Sequence, residues 1–192
     1  MERIGNGAEA VIYKDINVLK DRVKKSYRHP EIDNKLRKFR TKREAKFLEK
    51  LKGIKFPSPR LVNVKDNKIE MEYIAGPKLR DKLDKSHCKR IGQLVAIMHN
   101  NSMIHGDLTT SNMILDHDKI VFIDFGLSFF SSKVEDMAVD IHLFKQALES
   151  KHYEIAKDCW KNFLKWYKEC SSFKEVMERL KVVELRGRYK HK

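Results

Sequence analysis

The sequence predicts an α+β protein of two lobes: a small strand-rich amino-terminal lobe with one long helix, followed by a mostly helical lobe. Up to residue 75, short β-branched segments alternate apolar and polar side chains with the period of about two that is typical of strands. After the Gly76-Pro77 turn signal, apolar residues recur with the period of about 3.6 that is typical of helices. We therefore expect the boundary between the lobes at residues 75 and 76.

Four strands and one helix are predicted for the first lobe. The strands of each pair are separated by a short connection, Asp15-Ile16 in the first pair and Asp66-Asn67 in the second, which suits antiparallel pairing. Between the pairs, apolar residues recur at helical spacing among many basic residues, and the pattern stops before Pro57. The predicted elements are strands at residues 10–14 and 17–22, a helix at 31–51, and strands at 61–64 and 69–73.

The second lobe is predicted to be helical apart from one hairpin, which consists of residues 113–115 and 120–123. Ser132 and Glu135 have the spacing of a capping box before an apolar periodic segment. The final seven residues are rich in Arg and Lys and have no apolar period, so we expect an exposed basic tail. The predicted organisation is an N-lobe at 1–75, a reduced helical C-lobe at 76–185 and a basic tail at 186–192.

The charge balance favours a polyanionic partner. The 192 residues include 41 Lys and Arg against 27 Asp and Glu, which gives a net charge of +14. Lys and Glu enrichment is also typical of heat-adapted surfaces. Heat adaptation does not explain the positive excess, which favours a nucleic acid or a nucleotide phosphate as partner.

The cysteines and the hydropathy pattern favour a reducing compartment. Cys88, Cys159 and Cys170 are odd in number and have neither disulfide-framework nor metal-ligand spacing. The sequence has no leader pattern and no apolar run long enough for a membrane span. We therefore expect a cytoplasmic protein with no membrane partner.

Two polar motifs in the second predicted lobe contain the candidate catalytic and metal-binding residues. The segment Ile104-His105-Gly106-Asp107-Leu108-Thr109-Thr110-Ser111-Asn112 is followed, after the predicted hairpin, by Asp124-Phe125-Gly126. Phosphoryl transfer needs a carboxylate that orients or deprotonates the attacking hydroxyl, and oxygen ligands that hold Mg²⁺ against the phosphates of ATP. Asp107 suits the first task as the candidate catalytic residue, and Asn112 and Asp124 suit the second as metal ligands.

The order and spacing of these residues resemble the catalytic loop and the D-F-G motif of the protein-kinase superfamily. The alternative is a set of solvated loop carboxylates, since either motif alone occurs by chance. The resemblance implies a two-lobed protein-kinase-like fold, with ATP and Mg²⁺ as cofactors and Mn²⁺ as an alternative ion.

Two charged residues of the first lobe resemble further parts of such a site. Lys20 lies in the apolar strand Val18-Leu19-Lys20 and resembles the strand lysine that holds the α and β phosphates. Glu44 lies on the predicted long helix and resembles the glutamate that pairs with this lysine. Both are assigned as candidate catalytic residues. A lone Lys in a strand and a lone Glu in a basic helix are also common without such roles.

The remaining candidate nucleotide-binding residues form a reduced glycine-rich loop and the end of a strand. The loop residues are Ile4, Gly5, Asn6, Gly7, Ala8, Glu9, Ala10 and Val11, and the strand residues are Glu72, Tyr73 and Ile74. The third glycine of the usual loop is replaced by Ala10, and Glu9 brings a negative charge near the phosphates. A plain β-turn is therefore an alternative for the loop. The three strand residues fall where the superfamily holds adenine through backbone groups.

Several parts of ordinary protein kinases are missing. Gly106 replaces the arginine that usually precedes the catalytic aspartate, so a phosphorylated activation loop would lack its cationic partner. No Ala-Pro-Glu string follows Asp124. We therefore expect a truncated C-lobe without control by activation-loop phosphorylation.

This shortened set of kinase motifs, together with several other strings, resembles one particular family. The strings that carry it are Gly7-Ala8-Glu9-Ala10, Lys20-Asp21-Arg22, Tyr27-Arg28-His29-Pro30, Arg40-Thr41 with Glu44-Ala45, Thr109-Thr110-Ser111-Asn112, Ile123-Asp124-Phe125-Gly126-Leu127-Ser128 and Arg186-Gly187-Arg188. On these strings, residues 4–188 resemble the small atypical kinase subunit of the KEOPS complex in its archaeal form. The resemblance implies ATPase and Ser/Thr autokinase activity in the cytoplasm.

The same resemblance implies partners. They are the threonylcarbamoyl-transferase subunit, to which this kinase is fused in some archaea, other small KEOPS subunits, and tRNA, in which the complex makes threonylcarbamoyladenosine. The alternatives are a RIO-like stand-alone protein kinase in ribosome assembly, a small-molecule kinase of the aminoglycoside-phosphotransferase type, and a catalytically idle scaffold. The basic residues between Lys35 and Lys55 fit either tRNA contact or a solvated helix face.

Overall fold

A computed structural model describes residues 2–6 and 10–188. The chain divides into two compact units. The first comprises the chain up to Ala75 together with Val121–Leu127, and the second comprises Gly76–Ile120 together with the chain from Ser128 onward. Residues 121–127 were predicted to lie in the second lobe, whereas they belong to the first unit.

A five-stranded antiparallel sheet forms most of the first unit. Its strands are β1 (Glu2–Asn6), β2 (Val11–Lys14), β3 (Asn17–Asp21), β4 (Leu61–Lys65) and β5 (Lys68–Glu72), in the spatial order β1-β2-β3-β5-β4. β1 was not predicted from the sequence, because Gly5 interrupts a short segment that has little alternation. The other four strands lie close to the predicted positions and form the two predicted antiparallel pairs, β2–β3 and β4–β5. Asp66 adopts a left-handed conformation with φ of 52° in the β4–β5 turn, which Asp tolerates better than most residues.

One long helix packs on this sheet. α1 (Pro30–Gly53) has Pro30 at its first position, where the missing N–H of proline costs no hydrogen bond. Its carboxy-terminal half buries Phe47, Leu48 and Leu51, and it contacts β4 and β5. The burial of this apolar face, and not the mostly basic remainder of the helix, therefore stabilises its docking.

Residues 121–127 add two aromatic rings to the core of the first unit. The ring centroid of Phe125 lies 5.4 Å from that of Phe47, and Phe122 makes an edge contact with Phe56 at 5.3 Å. Both separations are within the usual range for aromatic pairs. The Phe122 amide also donates to the carbonyl of Pro57 at 3.0 Å. The segment that follows the second hairpin is thus an integral part of the first unit.

Four helices form the second unit. They are α2 (Lys85–Asn100), α3 (Val134–Lys151), α4 (Ala156–Tyr167) and α5 (Phe173–Arg188). α2 begins at a capping box in which the Asp84 side chain accepts the backbone N–H groups of Ser86 and His87. The His87 ring in turn accepts the Asp84 amide. α2 and α4 cross closely at Gly92, where a Cβ atom would lie 2.3 Å from the Phe163 carbonyl oxygen. Only glycine permits this approach.

Two small sheets complete the fold. β6 (Met103–Ile104) pairs with β9 (Phe129–Phe130), and β7 (Met113–Asp116) pairs with β8 (Lys119–Phe122). The β7–β8 hairpin was predicted, whereas the β6–β9 pair was not. Two-residue strands are too short to show a period of two.

Two predicted features of the second lobe are wrong in detail. The residue before α3 is Lys133, with no side-chain cap, so Ser132 forms no capping box. Ser131 acts there instead, accepting the Lys133 amide at 3.1 Å and donating to Asp136 at 2.6 Å. Residues 186–188, predicted as an exposed tail, continue α5. Residues 189–192 lie outside the described residues.

The described helices include none that is both long and apolar enough to cross a membrane. Cys88, Cys159 and Cys170 are free and buried.

Candidate active site

Lys20 lies at the centre of a buried charged cluster in the first unit. It stands on β3, paired with Ile12 on β2 and Ile69 on β5. Its Nζ atom donates to Glu44 Oε1 at 2.8 Å and to Asp124 Oδ1 at 2.7 Å. The strand lysine, the helix glutamate and the aspartate of the D-F-G motif are therefore in direct contact through one ammonium group.

The charge of Lys20 is maintained by these two carboxylates. Burial lowers the pKa of Lys20, but attraction to Glu44 and Asp124 more than offsets it, so the pKa is raised above 10.5. Lys20 is therefore an ammonium at neutral pH. A buried ammonium that already contacts anionic oxygens can exchange them for the oxygens of a phosphate.

Asp124 presents its carboxylate at the surface of the first unit. Half of its side chain is exposed, in contrast to the 2% of the Glu44 side chain. Its backbone is left-handed, with φ of 60°, a conformation that is uncommon for non-glycine residues and concentrated at functional sites. Its Oδ1 atom also accepts the Gly126 amide at 3.3 Å. Exposure and anionic oxygens suit a magnesium ligand.

Asp107 and Asn112 contact each other in the second unit. The Asn112 amide nitrogen donates to Asp107 Oδ2 at 2.8 Å and to the Asp107 carbonyl oxygen at 2.9 Å. Because both bonds use the nitrogen of Asn112, its side-chain oxygen is the atom that could bind a metal ion. The same bonds fix the orientation of the Asp107 carboxylate.

Asp140 of α3 holds the backbone of the loop that carries Asp107. Its two carboxylate oxygens accept the amides of His105 and Gly106, each at 2.9 Å. Gly106 has φ of 79°, which glycine adopts without steric cost. On the other side, the Ser128 hydroxyl donates to the His105 carbonyl at 2.7 Å. Asp107 therefore projects from a loop whose backbone is fixed by charge-assisted hydrogen bonds.

A buried histidine supports Asp140 in turn. His99 Nε2 lies 3.2 Å from Asp140 Oδ2, and His99 Nδ1 lies 2.7 Å from the Tyr167 hydroxyl oxygen. Burial lowers the pKa of His99, but its hydrogen bond to Asp140 contributes to a net increase. The pKa of Asp140 is lowered, because its bonds to His99 and the loop outweigh burial. Both directions favour the charged forms of the pair, imidazolium and carboxylate.

Comparison with known proteins identifies the family. A family model described as the RIO domain matches residues 8–141, which is more than half of the chain. The KEOPS complex subunit Bud32 of Pyrococcus abyssi is 41% identical over 100% of this chain and 98% of its own length. The chain belongs to the Bud32 family of RIO-domain proteins. The resemblance inferred from the sequence strings is confirmed.

Other Bud32 relatives differ in length. A probable serine/threonine-protein kinase BUD32 homolog of Archaeoglobus fulgidus is 38% identical, over 97% of this chain and 94% of its own. A probable bifunctional tRNA threonylcarbamoyladenosine biosynthesis protein of Methanocaldococcus jannaschii is 43% identical, over 97% of this chain. This chain spans only 36% of that bifunctional protein. The family therefore includes proteins of about this size and proteins with a further region.

Solved structures confirm the predicted fold class. The Rio2 kinase of Chaetomium thermophilum, crystallised as an ADP/Mg²⁺–phosphoaspartate complex, has a TM-score of 0.65 to this chain at 19% identity. The match covers 100% of this chain and 71% of the Rio2 chain. At this identity the likeness concerns the fold alone, and it supports the predicted α+β, protein-kinase-like fold of this Bud32-family chain.

The other candidate nucleotide-binding residues lie at strand ends of the first unit. Ile4 and Gly5 are in β1 and Val11 begins β2, whereas Gly7, Ala8 and Glu9 lie outside the described residues. The remaining members are Asn6 at the end of β1, Ala10 before β2, Glu72 at the end of β5, and Tyr73 and Ile74 directly after it. The Tyr73 ring has the Lys14 ammonium 3.9 Å from its centroid, a cation–π contact.

The sequence analysis of this Bud32-family chain assigned no role to two buried residues that contact the candidate site. Arg22 is 2% exposed and its Nη2 atom contacts Glu44 Oε2, whereas Asp140 is 1% exposed and binds the loop that carries Asp107. A signal was present for each. Arg22 is two residues from Lys20 and so shares its strand face, and Asp140 interrupts the apolar face of α3.

Proposed function

We propose that this chain is the atypical Ser/Thr kinase and ATPase subunit of a KEOPS complex, and that its use of Mg-ATP supports the synthesis of threonylcarbamoyladenosine in tRNA. The observation that carries the proposal is the match, over 98% of its length, to the KEOPS subunit Bud32 of Pyrococcus abyssi. Membership of the RIO-domain family and the kinase-like fold support a kinase or ATPase in general.

The described side chains fit the parts that phosphoryl transfer requires. The Lys20 ammonium would bind phosphate oxygens, and Glu44 would keep it in position. The Asp124 carboxylate and the Asn112 side-chain oxygen are each hard oxygen donors of the kind that binds Mg²⁺, or Mn²⁺ in its place. Such an ion would supply positive charge that offsets the negative charge developing on the transferred group.

Asp107 would act on the acceptor. Its carboxylate, fixed by Asn112, would orient a Ser or Thr hydroxyl, or a water molecule, and accept its proton as the oxygen attacks the γ-phosphorus and ADP departs. The residues of the glycine-containing segment 4–11 would cover the phosphates, and backbone groups of Glu72, Tyr73 and Ile74 would hold adenine.

The fused relatives support the proposed partners. A chain 43% identical to this one is joined to a further region in a protein whose name refers to tRNA threonylcarbamoyladenosine biosynthesis. We infer that this chain works in the cytoplasm beside a threonylcarbamoyl-transferase subunit, other small KEOPS subunits and tRNA. Its net charge of +14 favours contact with that tRNA.

Replacement of Asp107 tests the chemistry. The Asp107→Ala variant should lose about 10²- to 10⁴-fold in ATP turnover, because the acid–base group is removed. Turnover is measured with the transferase subunit and tRNA present, and tRNA modification is measured in parallel. Asp118→Ala, an exposed carboxylate in the β7–β8 turn, is the matched control. Normal ATP hydrolysis by Asp107→Ala would show that Asp107 has been assigned wrongly.

A RIO-like stand-alone protein kinase in ribosome assembly is the second candidate. It is favoured by the RIO-domain match over residues 8–141 and by the likeness to Rio2. Affinity purification of the full chain separates the two proposals. Stable recovery of the transferase subunit supports the KEOPS role, whereas recovery of precursor ribosomal particles without that subunit supports the alternative.

A further inference from the structure

Arg22 shares the carboxylate of Glu44 with Lys20. Lys20 Nζ binds Oε1 at 2.8 Å, and Arg22 Nη2 binds Oε2. All three side chains are at most 8% exposed. Because side chains two residues apart on a strand point to the same face, the sequence Lys20-Asp21-Arg22 places both cations beside one helix. Glu44 therefore has a separate positive partner for each oxygen.

A second bond ties Arg22 to α1. Arg37 Nη1 donates to the Arg22 carbonyl oxygen at 3.2 Å, and Arg37 Nε is held by Asp33 Oδ2 at 2.7 Å. Asp33 itself is fully buried. Arg37 and Glu44 are seven residues apart, which is about two helical turns. Arg22 is thus bound to α1 at two levels, through its side chain and through its backbone.

The position of Arg22 is not explained by stability alone. Its Nε and Nη1 atoms are buried and have no hydrogen-bond partner in the described part of the chain. Buried donors without partners are costly, and an apolar side chain of similar size would avoid that cost. A cation that is retained at such a site is better explained by what it does for Glu44.

We infer that Arg22 is a positioning residue that keeps Glu44 ionised and α1 in place when Lys20 exchanges carboxylate oxygens for nucleotide phosphates. This inference rests on the proposed function, because it requires Lys20 to bind a nucleotide. If Lys20 were the sole partner of Glu44, phosphate binding would leave a buried carboxylate without a counter-charge. Arg22 supplies a counter-charge with which the ligand does not compete.

The consequence is a difference in proton uptake on binding. In Arg22→Met, Lys20 is the one cation in the described part of the chain that is still hydrogen-bonded to Glu44, and Arg43 attracts Glu44 only through space. When phosphates draw Lys20 away, the buried carboxylate should take a proton from solvent, because burial without a counter-charge raises a carboxyl pKa strongly. The wild type needs no such proton. Binding of Mg-ATP by Arg22→Met should therefore strengthen, relative to the wild type, as the pH falls.

Calorimetry measures this difference directly. Mg-ATP binding to the full chain is titrated at pH 7.5 in two buffers of different ionisation enthalpy, which gives both Kd and the number of protons taken up. Arg22→Met should bind at least about tenfold more weakly and take up about one more proton per ATP than the wild type. Arg22→Lys, which keeps the charge, should restore most of both quantities.

The control and the second variant keep the outcome decisive. Arg179→Met removes an arginine that is paired with Glu135 at an exposed site on α5 and should match the wild type. In the double variant Arg22→Met/Glu44→Gln the extra proton should disappear, because its acceptor is gone. If Arg22→Met does not fold, the proton counts of Arg22→Lys and the double variant are compared with the wild type, and the double variant should again show no excess.

Two failures can be distinguished. A wild-type chain that does not bind Mg-ATP contradicts the proposed function itself. If the wild type binds but Arg22→Met has the affinity and proton count of Arg179→Met, with only a lower melting temperature, Arg22 is merely structural and the inference is overturned. An extra proton that persists in the double variant overturns it as well.

Discussion

His99 and Asp140 form a buried pair next to the loop that carries Asp107, and the pair gives stability a predictable pH dependence. The pKa of His99 is raised above 6.5, so its contribution is complete below that value and is lost as the pH rises through the folded-state pKa. The pKa of Asp140 is lowered from 3.8, so its contribution is complete above that value and is lost as the pH falls through its folded-state pKa. Both contributions are present between these two limits.

We therefore expect the wild type to lose stability as the pH rises above 6.5, and the loss should be smaller in His99→Gln. The free energy of unfolding is measured in urea at several pH values through tryptophan fluorescence. Both tryptophans, Trp160 and Trp166, lie on α4, beside Tyr167 of the same network. His117→Gln, whose side chain is 96% exposed, is the control. An equal pH dependence in His99→Gln and the wild type would contradict the ion pair.

Sequence motifs predict some residues of the candidate site but not others. Lys20, Glu44 and Asp124 could be predicted because their order and spacing follow a known chemical pattern, and the structure brings them into contact. Arg22 and Asp140 act on those residues or on their loop through buried bonds. Glu44 is 22 positions away from Arg22, and the two loop amides that bind Asp140 are 34 and 35 positions away from it. No local period reveals such contacts.

At the scale of an element, α1 combines a buried apolar face with an exposed row of lysines. Lys35, Lys38, Lys42, Lys46 and Lys50 are exposed and recur every three or four residues, so they lie along one side of the helix. No carboxylate pairs with them among the residues that the structure describes. Phe39, which is 60% exposed, lies in the same row. A row of unpaired cations with an aromatic ring suits an RNA backbone.

This row predicts a salt dependence of tRNA binding. Replacement of Lys38, Lys42, Lys46 and Lys50 by Gln should flatten the slope of log K against log salt by about three, because each phosphate contact contributes about 0.7–0.9. Binding of labelled tRNA is measured over a series of salt concentrations.

The matched control has the same charge change on another helix. Lys157, Lys161, Lys165 and Lys168 are also exposed, three of them on α4 and the fourth directly after it, and their replacement by Gln should leave the slope near that of the wild type. If the two quadruple variants behave alike, the effect belongs to net charge and not to α1.

Elements were predictable to the extent that they are periodic. The α1 helix and strands β2 to β5 were predicted because their apolar residues recur over several turns or pleats. β1 and the β6–β9 pair were not, because they are short and their pairing is set by residues distant in sequence. The α3 start was misplaced because Ser131 and Ser132 are adjacent, and the geometry of the backbone selects which of them bonds to Asp136.

On the scale of the whole molecule, the chain forms two cores, and each core contains residues from two separate stretches of the sequence. Val121–Leu127 belongs to the first unit although the residues on either side belong to the second. This arrangement could not be predicted from the sequence, because Phe122 and Phe125 follow a hairpin of the second lobe and carry no mark of a different core. It also places Asp124 beside Lys20. The segment Val121–Leu127 therefore both positions a candidate metal ligand and completes the core of the first unit.

The two cores predict that two matched phenylalanine replacements act on different helices. Phe125 is 1% exposed and packs on Phe47 in the first unit, and Phe144 is 0% exposed and packs on Phe163 in the second. Each replacement by Ala should lower the free energy of unfolding by about 3–5 kcal/mol. Phe125→Ala should accelerate amide exchange chiefly in α1, and Phe144→Ala chiefly in α4.

Hydrogen exchange read by mass spectrometry, with tryptophan fluorescence as a second probe, separates these effects. Because both tryptophans lie on α4, Phe144→Ala should shift the fluorescence transition in urea more than Phe125→Ala does. The reason is that a cavity weakens first the core in which it is made, and rings of equal size make cavities of similar volume. Equal acceleration of exchange in α1 and α4 by both variants would mean that the chain unfolds as one cooperative core, against the division into two.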